Sequence, residues 1–441
     1  MTNKVRPLSV EDGSTISLPT GKKGISAHLA LINFLKGMIG PGCFSLPLAF
    51  KMAGLWAGFV LVFLLGFFTS LCMQKLVECA QYFKKRHNAE QLDYGRLAER
   101  SFERGYIVVL RRWAPWARYI VNFCLIALQL GVCSVFFIFV TDHVKEIVEH
   151  IDPSVTFEKR TYFLFAILPF LLLSWVRSIY IMSFISLAGN VLMITSIVII
   201  FSQLLMLTSN WESLPAVTSV RNIAGSAGAI IYSFEGQAMV LPLENRMKHP
   251  QEMLGWTGVI STGIALVTII YASSGFYGYI AYGDNTMGTI TLNLPDTTLN
   301  LVVKILLILV IFTGFLMQLY PVIDAITPWL KTKLESKPRW MQIAIEILIR
   351  SILLLITVGT AFLLPNLEEM IPLVGVSAGM FLALVFPPII YLNTFFASVV
   401  KEQNKLLTAR TLIANFFFII LGISFSIYGL EVNIDNIVTG Q

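Results

Sequence analysis

Two short stretches combine helix-breaking residues with apolar surroundings. In the first, residues 36–47, the glycines Gly37, Gly40 and Gly42 and the proline Pro41 fall within six residues inside an apolar run from about 25 to 55. Each glycine weakens a helix by about 1 kcal/mol, and an interior proline by about 3 kcal/mol. A break at membrane depth is tolerated only where it is buried in protein or lines a cavity. The pattern predicts two half-helices whose free ends hold a ligand; a tightly packed, glycine-kinked helix is the alternative.

The second stretch, residues 233–236, lies in the apolar run from about 223 to 243 and contains Glu235 followed by Gly236. It places a carboxylate and a helix-weakening glycine at membrane depth, just under half the chain from the first break. Two interrupted hydrophobic segments at matching positions of two halves point to a binding site built from inverted repeats.

Half-helix ends have their own binding chemistry. The outer half-helix of the first break begins with free N–H groups and a positive dipole end, which attract an anion such as an amino acid carboxylate. The inner half-helix ends with free carbonyls, which attract an ammonium group. Pro41 lacks an N–H but suits the first position of a new helix. The residues expected to contact substrate are Ile39, Gly40, Pro41, Gly42, Ser45, Tyr232, Ser233, Phe234 and Gly236.

Four further residues near the breaks carry charge or a polar group. A carboxylate inside a membrane span is a functional hypothesis by default, so Glu235 is predicted either to carry a proton or to clamp free N–H groups or Lys36. For Lys36 we favour a structural role, a fixed charge that could replace a metal ion. His28 is predicted to be a boundary histidine, although it can titrate in a working cycle. Asn33 lies one turn before the first break.

Other polar side chains at membrane depth have structural roles by default. Glu346 and Arg350 are four residues apart on one predicted span and can pair on one face. Five amides are expected to form interhelical hydrogen bonds: Asn33, Asn122, Gln129, Asn190 and Gln318.

Composition sets the class of protein. Of the 441 residues, 56% are hydrophobic and only 13% are charged, which indicates a multi-pass helical membrane protein. The net charge of +6 is no sign of nucleic-acid binding, because most lysines and arginines fall in loops on one side. Eleven hydrophobic spans are predicted, at about 25–52, 55–83, 118–141, 161–176, 179–207, 222–244, 255–282, 300–324, 341–364, 371–397 and 411–430.

The distribution of Lys and Arg places the N-terminus in the cytosol and the C-terminus outside. Spans one to five and six to ten then have opposite orientations, which is the inverted-repeat arrangement. We therefore predict an all-α integral membrane fold with the following parts: a cytosolic tail (1–24), one transporter domain (25–430) made of a first repeat (25–207), a second repeat (221–397) and an extra helix (411–430), and an external or lumenal tail (431–441).

The remaining segments suggest no other chemistry. Loop 84–118 is expected to form a solvated surface helix, and loop 142–160, with His143 and His150, to be a solvated loop. The five cysteines lie in apolar runs, so buried thiols are expected rather than a disulfide. We find no metal-ligand spacing and no paired catalytic groups, so neither a metal, a cofactor nor an enzyme activity is expected.

Three segments of the sequence resemble a known family. Residues 33–37, 40–42 and 46–47 look like the first helix of the amino acid/auxin permease family. Residues 234–236 and 241–250 look like its sixth helix, and together with residues 92–95 they point to the proton-coupled amino acid transporter subfamily.

The resemblance implies a fold similar to the bacterial leucine transporter. It also implies symport of small neutral amino acids (glycine, alanine and proline) with protons, in the plasma membrane or the lysosomal membrane. Three features depart from the family. Asn33 stands where vertebrate members usually have a histidine tied to proton coupling, Pro41 replaces a small residue, and no pair of external-loop cysteines is present.

Several alternatives stay open at this stage. A nutrient sensor would bind an amino acid with little flux, and a carrier could be uncoupled or coupled to sodium. The expected partners are a small neutral amino acid and the lipid bilayer, and not nucleic acid. The sequence determines neither the exact substrate, the organelle nor the oligomeric state.

Overall fold

The computed structural model describes residues 24–87, 91–105, 108–154, 157–177, 179–207, 211–334, 337–401 and 405–439. These residues form an all-helical structure, with a single isolated β-bridge between Ile25 and Met247. The α-helices are α1 (Ala27–Met38), α2 (Leu46–Ala53), α3 (Leu55–His87), α4 (Tyr94–Glu103), α5 (Val108–Arg111), α6 (Ala114–Ile151), α7 (Lys159–Ser174), α8 (Ile179–Leu204), α9 (Val220–Ser233), α10 (Gln237–Glu244), α11 (Val259–Tyr282), α12 (Thr298–Leu334), α13 (Arg339–Leu363), α14 (Leu367–Val374), α15 (Phe386–Lys401) and α16 (Lys405–Thr439).

Most of these helices are built for a bilayer. Within the described ranges, seven helical segments are long and apolar enough to cross a membrane, and eight if the bent pair Ala27–Met38 and Pro41–Ala53 counts as one span. Each of the eleven predicted segments contains helix. The helices α7, α9 and α10 and the apolar stretch Ala188–Leu204 of α8 fall outside the group of seven, because their continuous apolar length is smaller.

Helix α6 lies at the centre of the bundle. It contacts α4, α7, α12, α13 and α14. Aromatic rings join it to its neighbours: Phe137 of α6 lies 5.0 Å from Phe170 of α7, which in turn lies 4.9 Å from Phe315 of α12, between ring centroids. All three rings are fully buried, so this cluster fixes the position of the helix that carries Gln129.

One prediction about the loops was confirmed in part, and one was wrong. The helix predicted in loop 84–118 forms as α4, but it is not wholly solvated: one face of it is buried, and the Tyr94 hydroxyl donates to the Leu382 carbonyl at 2.8 Å. The first part of loop 142–160 is helical, because α6 continues to Ile151. There His143 is fully buried and hydrogen-bonds Thr291 at 2.9 Å.

The chain beyond the last predicted span is also ordered. Helix α16 has 35 residues and continues through Thr439, so most of the predicted 431–441 tail is helical. Asp435 pairs with Arg221 of α9, and Val432 is buried. The predicted buried cysteines are confirmed: all five are free thiols, four of them buried and Cys124 half-buried.

A third interruption, which the sequence analysis did not predict, lies in the tenth predicted span. Two π-helical turns, Gly375–Gly379 and Phe381–Val385, separate α14 from α15. Here the backbone packs directly on α9: a Cβ built on Gly375 would lie 1.8 Å from the Gly228 carbonyl oxygen. Only glycine allows two backbones to approach this closely.

We expect Gly375→Ala to lower the stability of the protein, because the added methyl group collides with rigid backbone. Overpacking of this kind costs about 1–3 kcal/mol. The matched control is Gly359→Ala on α13, where an added Cβ has no described atom within 4 Å. Thermal unfolding of the purified variants in detergent checks this; equal melting temperatures for the two would contradict the close packing.

Candidate functional site

The first span is broken as predicted. Helix α1 begins at the Ser26 cap and ends at Met38, and Ile39 and Gly40 are extended. The chain resumes as a 3-10 turn, Pro41–Ser45, and the two halves are bent by 48°. Pro41 takes the first position of this turn, where its missing N–H costs no hydrogen bond.

The sixth predicted span has a matching break. Helix α9 ends at Ser233, and α10 begins at Gln237. The N–H groups of Phe234 and Glu235 donate back to the Ile230 and Tyr232 carbonyls, at 3.1 and 3.2 Å. The three intervening residues therefore close the end of α9 and leave the Ser233 carbonyl for a partner outside the helix.

The two breaks contact each other. The Ser233 hydroxyl donates to the Gly42 carbonyl at 2.8 Å, and Ser45 donates to the same carbonyl at 2.8 Å. A Cβ on Gly42 would lie 2.9 Å from the Ser233 Cα, so this approach requires glycine. The predicted substrate residues Gly42, Ser45 and Ser233 are thus brought together.

Two methionines pack reciprocally across the breaks. Met38 of α1 lies against Gly236, and Met239 of α10 lies against Gly37; a Cβ on either glycine would come within 2.1 Å of the opposing side chain. The same spans also meet farther along: the Ile25 N–H donates to the Arg246 carbonyl at 2.9 Å, and the Lys248 N–H donates to the Ile25 carbonyl at 2.8 Å. Helices α1 and α10 therefore form one packed unit.

Helix α11 supplies hydroxyl groups to both breaks. Tyr271, which is fully buried, donates to the Met38 carbonyl at 2.6 Å and to the Ser233 carbonyl at 2.7 Å. Ser274, three residues later, donates to the Cys43 carbonyl at 2.6 Å. The ring of Phe234 packs on the edge of Tyr271, with 5.0 Å between centroids.

Glu235 is held by amides and not by a cation. The Gln129 Nε2 donates to one carboxylate oxygen at 2.7 Å, and the Gln318 Nε2 makes a longer contact of 3.5 Å with the other. No ion pair to Glu235 occurs within the described part of the chain, so the alternative pairing of Glu235 with Lys36 is wrong. Gln129 lies on α6 and Gln318 on α12, so the predicted interhelical role of these amides is confirmed.

Beside these contacts, part of the first break is open. A Cβ on Gly40 would have no described atom within 4 Å. The Tyr232 hydroxyl and the Gln129 Oε1 are buried and have no hydrogen-bond partner among the described residues. Open space beside the backbone of a broken helix can accept a small polar molecule.

Three of the predicted site residues lie apart from this network. His28 is exposed in the first turn of α1. Asn33 and Lys36 are half-buried, and neither side chain forms a hydrogen bond or ion pair with another described residue. No group of three His, Cys, Asp or Glu residues that could hold a metal ion is found among the described residues.

The sequence analysis identified neither Tyr271 nor Ser274 as a donor to the breaks. The signal available was their spacing: residues three apart share one face of a helix, and both carry hydroxyls in an otherwise apolar run. Their targets could not be identified, because the partner carbonyls lie on other spans, between 38 and 233 residues away in the sequence.

Comparison with known proteins is consistent across sequence and structure. Residues 23–432 match the family model described as transmembrane amino acid transporter protein. The probable amino acid transporter skat-1 of Caenorhabditis elegans is 31% identical over 441 residues, covering 98% of this chain and 94% of the relative. The proton-coupled amino acid transporter-like protein pathetic of Drosophila melanogaster is 28% identical over 414 residues, covering 92% and 84%.

Among solved structures, MhsT in complex with L-phenylalanine matches with a TM-score of 0.52 and 14% identity, over 93% of this chain and 99% of that chain. This likeness shows the fold alone, which is similar to that of the bacterial leucine transporter. The family match spans nearly the whole chain, and the broken helices have the form that the resemblance implies. The chain belongs to the amino acid/auxin permease family of amino acid transporters.

Proposed function

We propose that this chain moves small neutral amino acids across a membrane together with protons, by alternating access. The observation that carries the proposal is the pair of facing breaks, with open space beside Gly40. The first N–H groups of a helical turn have no partner within it. Pro41 has no N–H and the Cys43 N–H donates to the Gly40 carbonyl at 3.2 Å, so the Gly42 N–H at the start of the turn Pro41–Ser45 is the donor that suits a substrate carboxylate. Both relatives are named as amino acid transporters or as similar to one, which supports the substrate class.

A neutral substrate side chain fits the charges at the breaks. Glu235 is the one ionisable carboxylate among the break residues, and two amides already hold it. A zwitterion recognised through backbone groups at the helix ends needs no additional charged side chain, whereas a charged substrate side chain would need a partner. Glycine, alanine and proline are the candidates.

The surroundings of Glu235 support proton coupling. A glutamine donates through Nε2 to a carboxylate, and after an amide flip it accepts through Oε1 from a protonated carboxyl group. The Gln129 Oε1 is buried without a described partner, so it is the acceptor that a protonated Glu235 needs. The same pocket can therefore hold this group in both charge states without a cation.

The proposal includes the topology. Eleven spans place residues 1–24 in the cytosol and residues 431–441 outside. Residues 25–207 and 221–397 are two repeats of opposite orientation, with 411–430 as an added helix. The membrane is the plasma membrane or the lysosomal membrane. An amino acid sensor with little flux, and a carrier that is uncoupled or coupled to sodium, are the competing functions.

The decisive experiment is uptake of radiolabelled alanine, glycine and proline into proteoliposomes at several external pH values. We expect uptake to rise with an inward proton gradient and to reach concentrations above those outside, because proton entry supplies the driving force. Binding without gradient-driven uptake would favour the sensor, and equilibration without accumulation would favour the uncoupled carrier.

Substitution of Gly40 tests the position of the substrate. Gly40→Val places a side chain in the open space beside the break, and its extended backbone accepts valine without strain. We expect uptake to fall by at least about tenfold, since a few misplaced atoms remove a binding geometry, while the melting temperature stays within a few degrees of wild type. Gly359→Val, also in open space, is the control, and wild-type uptake by Gly40→Val would exclude substrate from this position.

Substitution of Glu235 tests proton coupling. Glu235→Gln keeps the shape and the hydrogen bonding but cannot gain or lose a proton. We therefore expect amino acid exchange at equal pH to continue, while accumulation driven by a pH gradient disappears. Glu78→Gln, at a half-buried carboxylate on α3 away from the breaks, should retain gradient-driven accumulation. Loss of all substrate binding in Glu235→Gln would show that the carboxylate is a structural clamp.

A further inference from the structure

The C-terminal ends of two half-helices, one in each broken span, meet at the same atom. Helices α1 and α9 both run towards the breaks and end at Met38 and Ser233. The C-terminal end of a helix carries a partial negative charge of roughly half an elementary charge, located on its last carbonyls. The Met38 and Ser233 carbonyl oxygens lie 2.6 and 2.7 Å from a single atom, the hydroxyl oxygen of Tyr271.

This is an arrangement that suits a cation. In transporters with discontinuous helices, unwound carbonyls and half-helix C-terminal ends coordinate the coupling ion. Here a neutral and fully buried phenol occupies the position between the two ends. The single hydroxyl proton is shared between two acceptors, so it contributes the positive end of one O–H dipole where an ion would contribute a full charge.

The neighbouring carbonyls are also satisfied by neutral donors. The Gly42 carbonyl accepts from the hydroxyls of Ser45 and Ser233, and the Cys43 carbonyl accepts from Ser274. No lysine, arginine or histidine side chain bonds any of these carbonyls in the part of the chain that the structure describes. Hydroxyls therefore balance the carbonyls of Met38, Ser233, Gly42 and Cys43.

We propose that the Tyr271 hydroxyl takes the place of a bound metal cation between the two broken helices. The carrier then closes around its substrate without sodium, and removal of this hydroxyl opens a site for a small monovalent cation, Na⁺ or Li⁺. The inference deepens the proposed function, on which it rests for its meaning in transport. It also distinguishes a proton-coupled carrier from a sodium-coupled one by the role of a single atom, the Tyr271 hydroxyl oxygen.

The geometry explains why one atom decides the outcome. In Tyr271→Phe the ring keeps its packing on Phe234, and only the atom between the two carbonyls is lost. Two buried acceptors then face each other without a donor, which is unfavourable. An ion is the simplest group that can restore the balance, because both carbonyl oxygens are already directed at the vacated position.

The test compares purified protein in sodium chloride, lithium chloride and choline chloride at equal concentration. Wild-type protein should show the same melting temperature and the same uptake in all three. Tyr271→Phe should melt several degrees lower in choline chloride, and its uptake should fall by at least about tenfold, the change expected for a buried group left unpaired. Sodium or lithium should restore both properties in a saturable manner.

Tyr279→Phe is the matched control. Tyr279 lies on the same helix and is also buried, and its hydroxyl has no hydrogen-bond partner among the described residues. Its removal should leave stability and uptake indifferent to the cation. Tyr271→Asn, which offers an oxygen ligand and more room, is the second variant in case Tyr271→Phe does not fold, and it should show the same dependence on sodium or lithium.

Three results would overturn the inference: saturable stabilisation of wild-type protein by sodium, wild-type properties in Tyr271→Phe in choline, or equal impairment of the Tyr271 variants in all three salts. The last result would show that Tyr271 has only a structural role. The melting measurements require no transport. If the melting temperature of Tyr271→Phe depends on the cation while the wild-type protein shows no uptake, the proposed function is rejected and this inference is kept. Proton-driven uptake without any cation effect in the variants would reject this inference alone.

Discussion

The structure depends on one constraint: a helix interrupted inside a bilayer has backbone groups that water cannot reach. Each such group costs several kcal/mol unless the protein itself satisfies it. The carbonyls of Met38, Gly42, Cys43 and Ser233 all meet this requirement through hydroxyls. Two of the donors stand on α11, an unbroken helix, so the position of α11 determines where both interruptions can exist.

This dependence has a mechanical consequence. The breaks approach closely because glycines face bulky side chains across them, with Met38 against Gly236 and Met239 against Gly37. The β-bridge between Ile25 and Met247 joins the same spans at another level. Spans one and six therefore move most easily as one body, and under the proposed function this body rocks against the helices that hold it. Helix α11 contributes three hydrogen bonds of 2.6 to 2.7 Å to that boundary.

The sequence predicted those features whose cause is local. Glycines and a proline in an apolar run define a break, and Glu346 and Arg350, one turn apart, pair at 3.0 Å. Features with distant causes were missed. The Glu235 carboxylate accepts from amides on α6 and α12, and not from Lys36. His143 was assigned to a loop because charged residues surround it, but Asp142 pairs with Lys159 and Glu146 with Lys304, which allows the helix to continue. Hydropathy along a chain does not record such partners.

The two polar systems at the breaks differ in what they can change. Hydroxyl donors to carbonyls are neutral throughout, so they hold the helix ends without responding to pH or membrane potential. The carboxylate of Glu235, between amides that donate in one orientation and accept in the other, can exist with or without a proton. Under the proposed function, the substrate-binding backbone stays fixed while the Glu235 side chain gains and loses the proton. Because Asn33 cannot titrate, Glu235 is then the group at the breaks that must carry the proton which the histidine of the first helix is tied to in vertebrate members.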